Sequence, residues 1–198
     1  MNIGKLLKQG LMLEYFTLLW NIIGCGIILT ASFSSHSISL FGFGIDSIIE
    51  IFASVIVVWQ LKAINKEKEK IAEKLIGFSF ILLSLYILCQ SYIGLTEKTR
   101  PGISVVGILF LTLTIIAMFA LSYGKKVIGR KLNNSVLMAE AKVTAIDGLL
   151  ALSVLTGLLL NTCFGFWWAD ATAGLVIVFY GVREAMHIFN RGLTAKDA

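Results

Sequence analysis

The sequence predicts an all-α membrane protein, a bundle of six transmembrane helices. Of its 198 residues, 57% are hydrophobic and only 15% are charged, whereas a soluble domain has about 25% charged residues. Long apolar runs alternate with short polar connections, which is typical of membrane helices rather than of barrel strands. Because one span takes about 20 residues, the chain has room for six spans and little else.

The six apolar segments follow one another with short connections. We expect spans at residues 15–32, 38–61, 75–95, 103–123, 136–160 and 171–189. The connection 62–74 is charged and is expected to be helical, and residues 124–134 are expected to form a basic loop after a fourth span without charge. Residues 1–198 are therefore expected to be a single membrane domain, without a soluble domain at either end.

The positive charges predict the orientation of the bundle. Of the 17 Lys and Arg residues, 13 fall on one side, and only Lys98 and Arg100 fall on the other. Lys142 and Arg183 lie inside spans, nearer to the basic side. Because cytoplasmic loops are enriched in Lys and Arg, both termini are predicted to be cytoplasmic. The same rule explains the net charge of +5 without a nucleic-acid partner.

The second span carries two acids in an apolar setting. Residues 42–61 read GFGIDSIIEIFASVIVVWQL, with Asp46 and Glu50 four residues apart. On a helix both side chains stand on one face. A carboxylate near the bilayer centre costs roughly 2.5–3.5 kcal/mol on insertion scales, and two anions on one face also repel each other. Such a pair needs a metal ion, a proton or a basic partner.

The fifth span adds a third acid at the same depth. Asp46 lies about 12 Å below the outer end of its span, and Asp147 about 16 Å from the inner end of a span running the other way. Both acids therefore fall near the midplane. Lys142, the one base that the spans place deep, precedes Asp147 by five residues and lies on another face. We predict a divalent-cation site of Asp46, Glu50 and Asp147; the alternative is a structural ion pair or protonated acids.

Two further side chains share the face of Asp147 on the fifth span. Glu140 and Thr144 precede Asp147 by seven and three residues, so the three form one stripe. Glu140 is a candidate ligand at the cytoplasmic entrance, and Thr144 is a candidate auxiliary oxygen ligand. The alternative is that Glu140 is an interfacial acid paired with Lys142 or a loop lysine. Glu14, at the start of the first span, has the same two interpretations.

Three segments resemble those of a known family. SISLFGFGIDSIIEIFASVIVVW is similar to the second helix of the cation diffusion facilitators, in which two acids four residues apart bind the transported metal. AEAKVTAIDGLLAL and WADATAGLVIVFYGVREA resemble the fifth and sixth helices. The resemblance runs from about Glu14 to His187 and implies metal binding at Asp46, Glu50 and Asp147.

The chain departs from the family pattern in two respects. The histidine usual on the family's fifth helix falls at Val143, so the matched positions offer only carboxylates, which also suit harder ions such as manganese or magnesium. The cytoplasmic domain that usually follows the sixth helix is expected to be missing, as in a small branch of the family. A homodimer is therefore expected to form through transmembrane helices.

The sequence thus predicts a metal exporter and not an enzyme. We find no Ser-His-Asp order, phosphate loop or HExxH motif. The expected activity is efflux of a divalent cation, with zinc favoured over manganese, cobalt or cadmium, in exchange for protons and by alternating access. The expected location is a lipid bilayer, the inner membrane of a bacterial cell. The alternatives are a non-transporting metal-binding partner or sensor, and a small transporter of organic cations.

Overall fold

The computed structural model describes residues 3–35, 38–62, 65–97, 104–166 and 168–194. These residues form six helices: α1 (Ile3–Ser35), α2 (Ile38–Lys62), α3 (Lys66–Glu97), α4 (Val105–Leu132), α5 (Ser135–Phe164) and α6 (Ala169–Thr194). Five of them, α1 to α5, are long and apolar enough to cross a membrane. The predicted all-α, six-helix architecture is confirmed, while the side on which the termini lie stays a prediction.

Helix α1 begins twelve residues before its predicted span, and helix α4 extends past its predicted end. Helix α4 continues nine residues past the predicted span, so residues 124–132 are helical rather than a loop. Ser104 caps its start by accepting a hydrogen bond from the Gly107 amide at 3.1 Å, and Asn133 ends it in the left-handed conformation, with φ of 50°. The prediction of a charge-free fourth helix is therefore wrong, because Lys125 lies within α4 and is fully buried.

The helices pack most extensively in three pairs, α1 with α2, α3 with α6, and α4 with α5. Helices α2 and α5 also pack against each other, although less extensively, and they form the centre of the bundle. In their most apolar stretches 61% of α2 and 56% of α5 residues are buried, against 33% in α1, 44% in α3 and 33% in α4. Helices α2 and α5, which carry Asp46, Glu50 and Asp147, are therefore more buried than α1, α3 and α4.

A seam of small residues joins α3 to α6. Gly181 lies against Ser84, and Gly174 lies against Ser91, seven residues along each helix. A β-carbon added to either glycine would come too close to the facing serine oxygen for any real contact. Because the α6 numbers fall as the α3 numbers rise, the two helices run antiparallel, with their backbones in close approach.

Candidate metal centre

Polar side chains meet along the whole interface between α2 and α5. Four pairs face each other in turn: Gln60 with Asn134, Ser54 with Glu140, Glu50 with Thr144, and Asp46 with Asp147. The α2 numbers fall as the α5 numbers rise, so the helices run antiparallel, as the sequence predicted. The interface is thus a polar seam through the middle of an apolar bundle.

Asp46 and Asp147 form the last of these four pairs. Their side chains are 2% and 1% exposed, and their carboxyl groups lie close enough to hydrogen-bond to each other. Asp46 Oδ2 and both oxygens of Asp147 receive no hydrogen bond from another described residue. Two adjacent buried carboxylates repel each other, and only a proton or a cation between them relieves this repulsion.

Glu50 lies one turn along α2 and is held differently. Its Oε1 accepts a hydrogen bond from the Thr144 hydroxyl at 2.6 Å, while its buried Oε2 has no hydrogen-bond partner among the described residues. In the part of the chain that the structure describes, no three His, Cys, Asp or Glu side chains converge closely enough to hold a metal ion. The structure therefore brings Asp46 and Asp147 together, with Glu50 adjacent but turned toward Thr144.

Lys125 is a functional residue that sequence reasoning missed. Its Nζ lies 3.2 Å from Glu14 Oε2 and 2.5 Å from Glu140 Oε1, and it donates a hydrogen bond to Thr144 Oγ1 at 2.9 Å. All these side chains are fully buried. The alternative in which Glu14 and Glu140 pair with a lysine of residues 124–134 therefore describes their contacts, although that lysine lies within α4 and not in a loop.

A periodic signal in α4 points to Lys125. Buried positions recur there at alternating intervals of three and four residues, namely Leu111, Thr114, Met118, Leu121, Lys125 and Ile128. Lys125 falls in phase with this apolar stripe and so belongs to the buried face of the helix. The sequence nevertheless predicts a loop here, because a glycine and two lysines follow the apolar run.

Glu140, Thr144 and Glu14 thus share Lys125 as a partner. Both glutamates are 0% exposed and lie inside the bundle. Lys142, the expected alternative partner of Glu140, instead pairs with Glu184 near the surface. Roles of Glu140 and Thr144 as metal ligands stay predictions, since both side chains are engaged with Lys125 here.

The interior of the bundle carries an excess of negative charge. Among the described residues, the buried ionisable side chains are one lysine and five acids: Lys125, Glu14, Asp46, Glu50, Glu140 and Asp147. Buried charges without compensation cost several kcal/mol each. Mobile cations or protons must therefore neutralise most of the excess.

The family model described as "Cation efflux transmembrane domain" matches residues 15–194. This chain belongs to the cation efflux family. The resemblance to the cation diffusion facilitators is therefore confirmed, and so is the prediction of a multi-pass membrane protein that transports cations.

Two curated relatives of this cation efflux protein cover most of its length. It is 24% identical over 195 residues to "Transmembrane protein 163" of Xenopus laevis, covering 93% of this chain and 69% of the frog protein. It is 28% identical over 166 residues to an "Uncharacterized transporter" of Methanocaldococcus jannaschii, covering 77% of this chain and 57% of the archaeal protein.

Proposed function

We propose that this cation efflux protein exports a divalent cation in exchange for protons. Asp46 and Asp147 are the primary ligands, and Glu50 joins them when it turns away from Thr144. The observation that carries the proposal is the Asp46–Asp147 pair. It has two buried carboxyl groups on antiparallel central helices, and three of its oxygens receive no hydrogen bond from elsewhere.

The chemistry of carboxylates explains the exchange. A divalent ion cancels the charge of two carboxylates, and protons can do the same when the ion leaves. Binding of one species therefore displaces the other. The pair lies where two closely packed helix pairs, α1 with α2 and α4 with α5, meet. Relative movement of these pairs supports alternating access to the two sides of the membrane.

Zinc is the first candidate for the transported ion, ahead of manganese, cobalt and cadmium. Carboxylate oxygens bind all of these ions, so the selectivity depends on the geometry that forms when Glu50 joins the aspartates. The proposal includes a homodimer formed through transmembrane helices, cytoplasmic termini, and a location in the inner membrane of a bacterial cell.

Zinc uptake into vesicles tests the proposal. The purified protein is reconstituted, and zinc and proton fluxes are followed together under an imposed pH gradient. We expect Asp46→Asn and Asp147→Asn each to lower zinc flux by at least about tenfold, which corresponds to about 1.4 kcal/mol of lost binding free energy for the ion. Glu67→Gln is the matched control, because it makes the same kind of change at an exposed position at the start of α3.

Two outcomes would contradict the proposal. Undiminished zinc flux in either aspartate variant would show that the replaced aspartate is not a ligand of the transported ion. Zinc binding to the wild-type protein without any flux instead favours a metal-binding partner or sensor, the role for which Val143 in place of the family histidine is the supporting feature.

A further inference from the structure

A second group of acids surrounds Lys125, one turn or more from the aspartate pair. Glu14 comes from α1, Glu50 from α2 and Glu140 from α5, while Lys125 enters from α4. Lys125 is ion-paired with Glu14 at 3.2 Å and Glu140 at 2.5 Å. Glu50 is joined to it through Thr144. Four helices thus contribute to one buried cluster.

The ammonium of Lys125 leaves this cluster only partly neutralised. It brings one positive charge to three carboxylates, and all three are at most 1% exposed. Three glutamate oxygens, Glu14 Oε1, Glu50 Oε2 and Glu140 Oε2, receive no hydrogen bond from any residue that the structure describes. Buried oxygens without donors are costly, and they are also free to bind a cation.

We propose that Lys125 is a resident cation in a second carboxylate site, made of Glu14, Glu50 and Glu140. Its ammonium occupies the space between these carboxylates, which close on a divalent ion only when the ammonium is removed. Lys125 therefore limits the chain to the one ion bound at the aspartate pair. The inference extends the proposed function; the second site shares Glu50 with the aspartate pair, whereas Glu14 and Glu140 belong to the second site alone.

Thr144 connects the two sites. Its oxygen accepts a hydrogen bond from Lys125, and its single hydroxyl hydrogen lies between two acceptors, Glu50 Oε1 at 2.6 Å and Glu140 Oε1 at 3.1 Å. When Glu50 turns toward an ion at the aspartates, the hydroxyl is free to donate to Glu140 instead. Glu50 is thus shared between the resident ammonium and the transported ion.

The second site is tested in a protein that lacks the first. In an Asp46→Asn, Asp147→Asn background, zinc binding is measured by calorimetry with and without Lys125→Met, which removes the charge but keeps a long apolar chain. We expect no zinc bound in the background and one zinc ion per chain after Lys125→Met. Adding Glu140→Gln should abolish the gained binding. Lys126→Met is the matched control, because this neighbouring lysine is exposed.

The outcomes separate this inference from the proposed function. If the Lys125→Met background gains no zinc, the second site is wrong, whatever the aspartate variants do to transport. If the protein gains zinc although the aspartates prove irrelevant to flux, the second site stands and the proposed function fails.

Folding of the lysine variant is covered in the same design. A cation in the site should replace the ammonium, so Lys125→Met purified in zinc should be recovered folded, as Lys126→Met is. Loss of the folded protein in zinc overturns the proposal. A Lys125→Met, Glu140→Gln variant with both aspartates intact keeps the wild-type charge of the cluster. It should bind one zinc ion per chain, and failure to do so overturns the proposal equally.

Discussion

Val143 sets the chemical character of the aspartate pair. It is 1% exposed and precedes Asp147 by one turn on α5. An apolar side chain therefore stands at this position, where a histidine would offer a nitrogen ligand. Imidazole favours zinc over harder ions, whereas oxygen ligands do not discriminate in this way.

Replacing this valine by histidine should therefore shift metal preference. We expect Val143→His to raise the ratio of zinc affinity to manganese affinity by about tenfold, or about 1.4 kcal/mol. Calorimetric titration with each metal measures the ratio, and Val143→Leu is the apolar control. An unchanged ratio in the histidine variant would show that position 143 does not reach the bound ion.

The residues of the seam differ in how far the sequence revealed them. Asp46, Glu50 and Asp147 could be found because a carboxylate inside an apolar span is costly and therefore conspicuous. Their approach in pairs followed from helix direction. Lys125 was missed because it stands just after an apolar run, where a lysine usually marks the end of a span. Only the extension of α4 by nine residues makes it an interior group.

Among the helices, the short connection between α4 and α5 aligns the seam. Asn134 is 4% exposed, and its side chain contacts both the start of α5 and the end of α2. Its Oδ1 accepts a hydrogen bond from the Leu137 amide at 2.8 Å, which caps α5, and its Nδ2 donates to Gln60 Oε1 at 3.0 Å, which fixes the end of α2.

Loss of this side chain should loosen both contacts. We expect Asn134→Ala to lower the free energy of unfolding by about 2 kcal/mol, since a cap contributes about 1 kcal/mol and a buried acceptor without a donor costs about as much. Asn134→Ser keeps a capping oxygen but does not reach Gln60, so it should lose about half as much. Unfolding in detergent measures both, and equal losses in the two variants would contradict the assigned roles.

Helix existence and order were predictable because apolar runs of this length have few alternatives in lipid. The positions at which the helices begin and end were not predictable in this way. The charged residues 66–74, which were expected to be helical, form the first part of α3. The charged residues 124–132, which were expected to form a loop, continue α4 as helix, because their backbone hydrogen bonds remain paired. Pairing of α3 with α6 through Ser84 and Gly181 also escaped prediction, since neither residue type signals its partner.

For the whole molecule, the distribution of basic residues predicts which face is cytoplasmic. A protein with Cys25, Cys89 and Cys163 replaced by alanine accepts single new cysteines at Lys66 or Thr99. We expect a membrane-impermeant maleimide to label Thr99→Cys in intact cells and Lys66→Cys only in inside-out vesicles. The opposite pattern would invert the orientation, and labelling of both positions from one side would contradict an odd number of crossings between them.

The three tightly packed helix pairs have a mechanical consequence. Each pair can move as a rigid unit, because its internal contacts are the most extensive in the bundle. The acids lie at the interfaces between these pairs, and few polar bonds between described residues cross those interfaces. In the proposed transport cycle, water would reach the carboxylates from one end when two of these pairs tilt apart, without unwinding any helix or exposing a backbone amide to lipid.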